Sequence, residues 1–195
     1  MARRAVSLQD HAAGDLRYIR HTMARAGTFT AVPGWGGVLM GLTALVTAAL
    51  AGPPRDSSTW LTLWLGDAAL AATIGVAAIA WKARRAGTPL TSEVARRFGF
   101  ACAPPLVAGM VLTAVFVREH LTTRLPGCWL LLYGAALASG GALSVAPVPV
   151  MGLCLVALGT LSFVVPAELG SLFMAAGFGG LHIAFGLVIA RKHGG

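Results

Sequence analysis

The chain has 195 residues, of which 56% are hydrophobic and only 11% are charged, and its mean hydropathy is +0.75. This composition excludes an ordinary water-soluble domain and is typical of an integral membrane protein. The formal net charge of +8 comes from Arg and Lys residues that flank apolar segments. We therefore interpret it as a basic rim facing anionic lipid and expect no nucleic-acid partner.

The first segment is predicted to form a cytoplasmic amphipathic helix. Apolar side chains recur at spacings of three and four over residues 7–27, and Ser7 and Asp10 are spaced as a variant capping box. Such a helix either lies in the headgroup layer or docks a cytosolic protein, and both alternatives stay open. The first thirty residues lack the apolar core of a signal peptide, so we expect the N-terminus to stay in the cytosol. We assign residues 1–29 to this helix and residues 30–195 to a transmembrane domain.

Six apolar windows follow, each of roughly 18 or more residues and long enough to cross a hydrocarbon core of about 30 Å. The predicted fold is therefore an all-α integral membrane protein with six transmembrane helices. The windows are Val32–Ala51, Thr59–Trp81, Phe98–Val117, Gly127–Leu143, Val148–Val165 and Leu169–Ala190.

The basic residues divide unequally between the two sides of the predicted membrane. Only Arg55, Arg118 and Arg124 fall on one side, whereas the other twelve Lys and Arg residues fall on the side of both termini. Because cytoplasmic loops retain positive charge during insertion, we expect both termini in the cytoplasm. Aromatic and basic side chains at the two boundaries should anchor the bundle. The expected interfacial anchors are Arg25, Trp35, Trp60, Trp64, Trp81, Arg96 and Trp129.

The membrane region contains an internal repeat. At an offset of 71 the order of Arg25, Phe29 and Pro33 returns in "VARRFGFACAPP", and the second helices match from Trp60 and from Trp129. In each entry segment the proline is expected in the first helical turn, and the glycines are expected to let helix backbones approach. A fainter third copy lies at an ungapped offset of 111. Its matched pairs are Met40 with Met151, Gly66 with Gly177 and Gly75 with Gly186.

Each copy contains two crossings, so the three copies should enter the membrane from the same side. The predicted architecture is three parallel helical hairpins, at about 30–81, 98–143 and 148–190, related by a pseudo-threefold axis along the membrane normal.

Six crossings with patterns such as "MGLCLVALG" and "GLHIAFGLVIARK" resemble the HdeD-type family of small bacterial membrane proteins. The resemblance implies an integral protein of the bacterial inner membrane, linked to stress tolerance, and it implies no catalytic residue. The segment "LRYIRHTMARAGTFTAVPGWGG" is not part of that pattern and suggests a separate bacterial family.

Two ionisable residues lie within the predicted crossings. Asp67 is a functional candidate because an intramembrane carboxyl costs about 2.5–3.5 kcal/mol to insert. It would bind a proton or a cation, or it would stay protonated and serve packing alone. His182 could relay a proton, the alternative being a neutral histidine in a tight helix contact. Under the repeat alignment it lies one turn below Asp67, so the pair could meet if the second and sixth helices are neighbours.

We find no sequence signature of an enzyme, and we expect no cofactor and no metal site. Cys102, Cys128 and Cys154 should lie at different depths, which excludes an intramolecular disulfide.

The expected function is a non-enzymatic accessory or sensory component that contacts lipid or a protein partner through its N-terminal helix, and a homo-oligomer stays open. The alternative is a small-solute or proton-coupled permease that uses Asp67 and His182, with hydroxyls of Thr43, Thr73 and Thr113 along the route. A third alternative is the vitamin-binding subunit of an energy-coupled importer.

Overall fold

The computed structural model describes residues 27–54, 58–87 and 89–194, and within these ranges the chain is helical apart from short connections and one isolated bridge. Each helix overlaps one predicted window, so the prediction of six helices is confirmed. The predicted N-terminal segment, residues 1–29, lies outside the described residues except for positions 27–29, and Arg25 lies outside them too. The helices are α1 Gly34–Ala51, α2 Ser58–Arg85, α3 Glu93–Arg118, α4 Leu125–Gly141, α5 Pro147–Ser162 and α6 Ala167–His193.

Four of these helices, α1, α2, α3 and α6, are long and apolar enough to cross a membrane by their length and composition. The other two are shorter, with 17 residues in α4 and 16 in α5. Both start with a proline in the first turn, where the missing N–H costs no intrahelical bond.

The start of α3 differs from the predicted one. Pro104 was expected in the first turn, but α3 begins at Glu93 and contains both Pro104 and Pro105 in its interior. The earlier start has a local cause. The hydroxyl of Ser92 accepts a hydrogen bond from the backbone N–H of Ala95 at 3.3 Å, which caps the helix ahead of the basic segment.

The helices pack in the order α2, α1, α6, α5, α4, α3. The closest interfaces are those of α4 with α5 and of α1 with α6, while α2 and α3, at the two ends of the series, contact each other little among the described residues. One end of the space between α2 and α3 is covered by residues 27–33. There Phe29 stacks on Phe98 with ring centroids 4.7 Å apart, and Lys82 Nζ donates to the carbonyl of Val32 at 2.9 Å.

Glycine explains why two of these interfaces are so close. A Cβ atom at Gly134 of α4 would lie 2.7 Å from the carbonyl oxygen of Gly152 in α5, and one at Gly41 of α1 would lie 2.7 Å from the carbonyl oxygen of Gly179 in α6. Only a residue without a side chain lets the backbones approach to this distance. These glycines therefore act as helix contacts, as the sequence predicts.

The interior of the bundle is filled with aromatic and aliphatic side chains. Near the α1–α2 connection, side chains from α1, α2, α4 and α6 form one buried cluster, and α4 and α5 form a second cluster with partly buried side chains of α6. In contrast, α3 has no buried residue. The largest fully buried side chains are Trp60, Leu125, Leu130, Leu155, Met174 and Pro126.

Candidate functional site

Asp67 is the one acidic residue that α2 carries, and the fold buries it against α1. Its side chain is 8% exposed. The hydroxyls of Thr43 and Thr47 on α1 interact with the carboxyl group. The Oδ1 atom is buried and has no hydrogen-bond partner among the described residues. A buried oxygen without a partner costs about 1–3 kcal/mol, so this atom is unusual for a residue that serves packing alone.

Local sequence places the threonines opposite the carboxyl. Thr43 and Thr47 are four residues apart and therefore share one face of α1. Close packing brings that helix against α2, because a Cβ atom at Gly36 would lie only 2.7 Å from the Cβ of Ala78. The carboxyl group of Asp67 on α2 thus lies against Thr43 and Thr47, the two threonines of α1.

The carboxyl lines a cleft of about 320 Å³ between α1 and α2, which we call the Asp67 cleft. The side chains of Leu42, Val46 and Leu70 form its walls and are about half exposed, so the mouth opens on the outer surface of the bundle. The complete lining is Leu42, Thr43, Val46, Thr47, Gly66, Asp67 and Leu70.

The hydroxyl group of Thr43 offers the cleft a hydrogen-bond acceptor. The hydroxyl of Thr43 donates its only hydrogen to the carbonyl of Met40 at 2.8 Å. Towards Asp67 the Thr43 oxygen can therefore only accept a hydrogen bond. A carboxylic acid can donate a hydrogen bond to that oxygen, whereas a carboxylate cannot, and the hydroxyl of Thr47 also interacts with the carboxyl group.

Among residues 27–54, 58–87 and 89–194, no charged side chain pairs with Asp67. The sequence of α1 contains no acidic and no basic residue, and the first base along α2 is Lys82, about four helical turns away. The amino group of Lys82 is engaged elsewhere, on the carbonyls of Val32 and His193. Within the described part of the chain, charge balance at Asp67 is therefore left to a proton or a bound cation.

His182 is buried at 4% exposure, and both of its ring nitrogens are occupied. Nδ1 lies 3.3 Å from the carbonyl oxygen of Gly177, which can only accept, so Nδ1 carries the hydrogen. The lone pair of Nε2 then accepts a hydrogen bond from the hydroxyl of Tyr133 on α4, at 3.0 Å. This arrangement is that of a neutral histidine with both ring nitrogens hydrogen-bonded.

A π-helical turn, Ala175–Leu181, precedes His182 within α6. Sequence reasoning did not find this turn, although its glycines at 177, 179 and 180 are a signal of irregular packing. Such turns are frequent at functional sites. Here the wider turn directs the imidazole towards Tyr133 and stacks it on Phe178, with ring centroids 6.0 Å apart.

The structure does not bring Asp67 and His182 together, so their predicted pairing is wrong. Asp67 faces Thr43 and Thr47, whereas His182 faces Tyr133. The physical reason is that α1 packs against both α2 and α6, while these two helices contact each other little along their lengths.

The three predicted hydroxyls do not line a common route either. Thr43 belongs to the Asp67 cleft. Thr73 is exposed and donates to the carbonyl of Ala69 in its own helix, at 2.8 Å. Thr113 accepts a hydrogen bond from Trp129 Nε1 at 2.8 Å and so connects α3 with α4.

The predicted anchors fall into two groups. Trp35 and Trp81 are exposed, and the guanidinium of Arg85 lies 4.2 Å from the ring centre of Trp81. Trp60 and Trp64 are buried, so they differ from the prediction and pack the interior instead of facing headgroups. The remaining two described anchors are Trp129, which is half-buried, and Arg96, which is exposed and 3.9 Å from Glu93.

Comparison of the chain with protein-family models, with curated proteins and with solved structures finds no match, and the resemblance to HdeD-type proteins is therefore unsupported.

Proposed function

We propose that the chain is a non-enzymatic integral protein of a bacterial inner membrane that crosses the bilayer six times with both termini in the cytoplasm. Its outer surface supports this proposal. Large apolar side chains point away from the bundle on every helix but α4, including Leu50 at 70% exposure and Phe100 at 71%. Contiguous apolar surface of this kind requires a cover, and lipid supplies one.

The arrangement of three parallel hairpins is part of the proposal. It is supported by contacts between positions that the repeat aligns. The ring of Trp60 stacks on that of its counterpart Trp129, with centroids 5.8 Å apart and planes at 10°. Lys82 Nζ donates to the carbonyl of His193, its counterpart at the offset of 111. A rotation axis that runs between the hairpins produces such contacts.

Within the membrane we propose an accessory or sensory role. The proposed partners are the lipid bilayer and a cytosolic or membrane protein. The observation that carries this role is the filled interior. Trp60, stacked on Trp129, and the fully buried Leu125, Leu130 and Leu155 occupy the space that a solute pathway would need. A protein packed in this way is suited to holding or reporting a state of the membrane.

A proton-coupled permease is the second candidate, and one observation favours it. The buried Oδ1 atom of Asp67 has no hydrogen-bond partner in the part of the chain that the structure describes. The permease would use Asp67 without His182, since the nitrogens of His182 are both engaged.

Flux measurements distinguish the two candidates. The full chain is reconstituted into liposomes that contain a pH-sensitive dye, and proton entry is followed after a potential is applied. The accessory role predicts the leak rate of protein-free liposomes. A faster rate that Asp67→Asn abolishes and Glu168→Gln leaves unchanged would overturn that role in favour of the permease.

A further inference from the structure

We propose that the Asp67 cleft binds an amphiphilic ammonium ion, which enters from the lipid and replaces the proton of the carboxyl. The proposal rests on the insertion of α1 and α2 into a membrane and adds a ligand class to the sensory role.

Two oxygens of the cleft floor are available as hydrogen-bond acceptors. Oδ1 of Asp67 has no partner among the described residues, and the Thr43 oxygen can only accept because its hydrogen is committed to the carbonyl of Met40, while the hydroxyl of Thr47 also interacts with the carboxyl group. The complementary ligand is therefore a donor. An ammonium group offers several N–H donors and would satisfy the carboxylate and the Thr43 oxygen together.

The ligand must also carry a positive charge. An ionised Asp67 has no counter-ion among the described side chains, because α1 has no charged residue and the base nearest to Asp67 along α2, Lys82, is about four turns away and bonded to Val32. His182 faces Tyr133 and not Asp67. A cation in the cleft would thus supply the charge that the described side chains do not, and the buried site would favour it strongly over a neutral molecule.

The walls select an organic cation over an inorganic one. Leu42, Val46 and Leu70 surround the polar floor and are themselves exposed on the outer face of the bundle. An alkali ion would have to cross lipid without water to reach this mouth. A molecule with an apolar body places that body against the leucine and valine side chains. The volume of about 320 Å³ lies at the lower end of the range of about 300–1,000 Å³ for ligand sites, so the molecule is small.

Binding is then an exchange of one cation for another. The carboxylic acid of Asp67 releases its proton to water, and the resulting carboxylate binds the ammonium ion through N–H···O hydrogen bonds. Only the O–H bond is broken, no electron is transferred, and the charge of the site stays zero before and after. Affinity should therefore increase as the pH rises, because protons compete with the ligand for the same oxygens.

The test uses the purified full chain in lipid nanodiscs and benzylamine as the probe. Equilibrium dialysis measures binding, and a pH dye in weak buffer measures proton release. Over the pH range in which benzylamine is protonated in water, we expect saturable binding that strengthens with pH and releases one proton per bound ammonium ion. Benzyl alcohol, which is neutral, and benzyltrimethylammonium, which has no N–H donor, should each bind at least about tenfold more weakly, which corresponds to the loss of a charge-assisted hydrogen bond.

Two variants and one control locate the site. Asp67→Asn removes the charge and should weaken benzylamine binding by at least about tenfold. Leu70→Trp fills the mouth of the cleft and keeps the Asp67 carboxyl, so it should also abolish binding. This variant tests the site independently if Asp67→Asn fails to fold. Val76→Trp adds the same side chain to an exposed position of α2 outside the cleft and should bind normally.

Several outcomes would overturn the proposal. If benzyl alcohol bound as tightly as benzylamine, the cleft would recognise only the apolar part of the ligand. If sodium ions competed with benzylamine, the cleft would be a site for inorganic cations. Normal binding in Leu70→Trp would place the amine elsewhere. These failures differ from failure of membrane insertion, which cysteine labelling of the two membrane faces detects without any ligand.

Discussion

The indole Nε1 of Trp60 donates a hydrogen bond to Ser171 Oγ at 2.9 Å, and the two residues lie 111 positions apart in the chain. That separation is the offset at which the sequence of the first hairpin aligns with the third. Trp60 is 1% exposed and also stacks on Trp129, the matching position of the second hairpin. One side chain therefore connects corresponding positions of all three proposed hairpins.

Replacement of Trp60 by alanine should destabilise the protein by about 3–5 kcal/mol, because it empties a large buried site and removes the bond to Ser171. Trp35 is 61% exposed, and Trp35→Ala should change stability by no more than about 0.5 kcal/mol. Unfolding of the detergent-solubilised variants, followed by circular dichroism, measures both effects. Equal effects of the two substitutions would show that Trp60 does not hold the hairpins together.

Glycine-to-alanine substitutions should have opposite effects at two positions. In Gly134→Ala the new Cβ atom would lie 2.7 Å from the carbonyl oxygen of Gly152, so α4 and α5 must separate, and we expect a loss of about 1–3 kcal/mol. Gly66 has no neighbouring atom within 4 Å of an added Cβ, and Gly66→Ala should stabilise α2 by up to about 1 kcal/mol through helix propensity. Thermal unfolding in one detergent compares the two variants, and destabilisation by both would contradict the open surroundings of Gly66.

The hydroxyl of Tyr133 should contribute to stability through His182. Tyr133→Phe keeps the ring but leaves the Nε2 lone pair without the donor it has at 3.0 Å, at an expected cost of about 1–3 kcal/mol. Thr73→Val is the control, because that hydroxyl is exposed and bonds only within its own helix. In a double-mutant cycle with His182→Leu the loss should be strongly reduced. Additive effects of the two substitutions would exclude the bond.

Most of the helices could be predicted from sequence because each apolar window is long and ends at basic residues, prolines or glycines. The start of α3 could not, since the apolar window begins at Phe98 whereas Ser92 caps the helix in a polar segment. Exposure was also mispredicted for Trp60 and Trp64. A tryptophan near a helix end is typical of a membrane boundary, and only packing against α4 and α6 turns it inwards.

The candidate site was predicted in part. Sequence singled out Asp67 because a carboxyl within an apolar helix is rare, and Thr43 was among the candidates. Thr47 was missed, although it lies one turn from Thr43 on the same face of α1. The pairing with His182 failed because it required α2 and α6 to be neighbours. Helix adjacency depends on the glycine contacts of α1 with α6, such as Gly41 with Gly179, which periodicity does not specify.

The membrane topology is the central claim, and cysteine accessibility tests it most directly. The native thiols Cys102, Cys128 and Cys154 are replaced by alanine, and single cysteines are introduced at Ala86, between α2 and α3, and at Glu168, at the start of α6. We expect a membrane-impermeant maleimide to label position 168 in intact bacterial cells and position 86 only after permeabilisation. Labelling of position 86 in intact cells, or of both positions alike, would contradict the account.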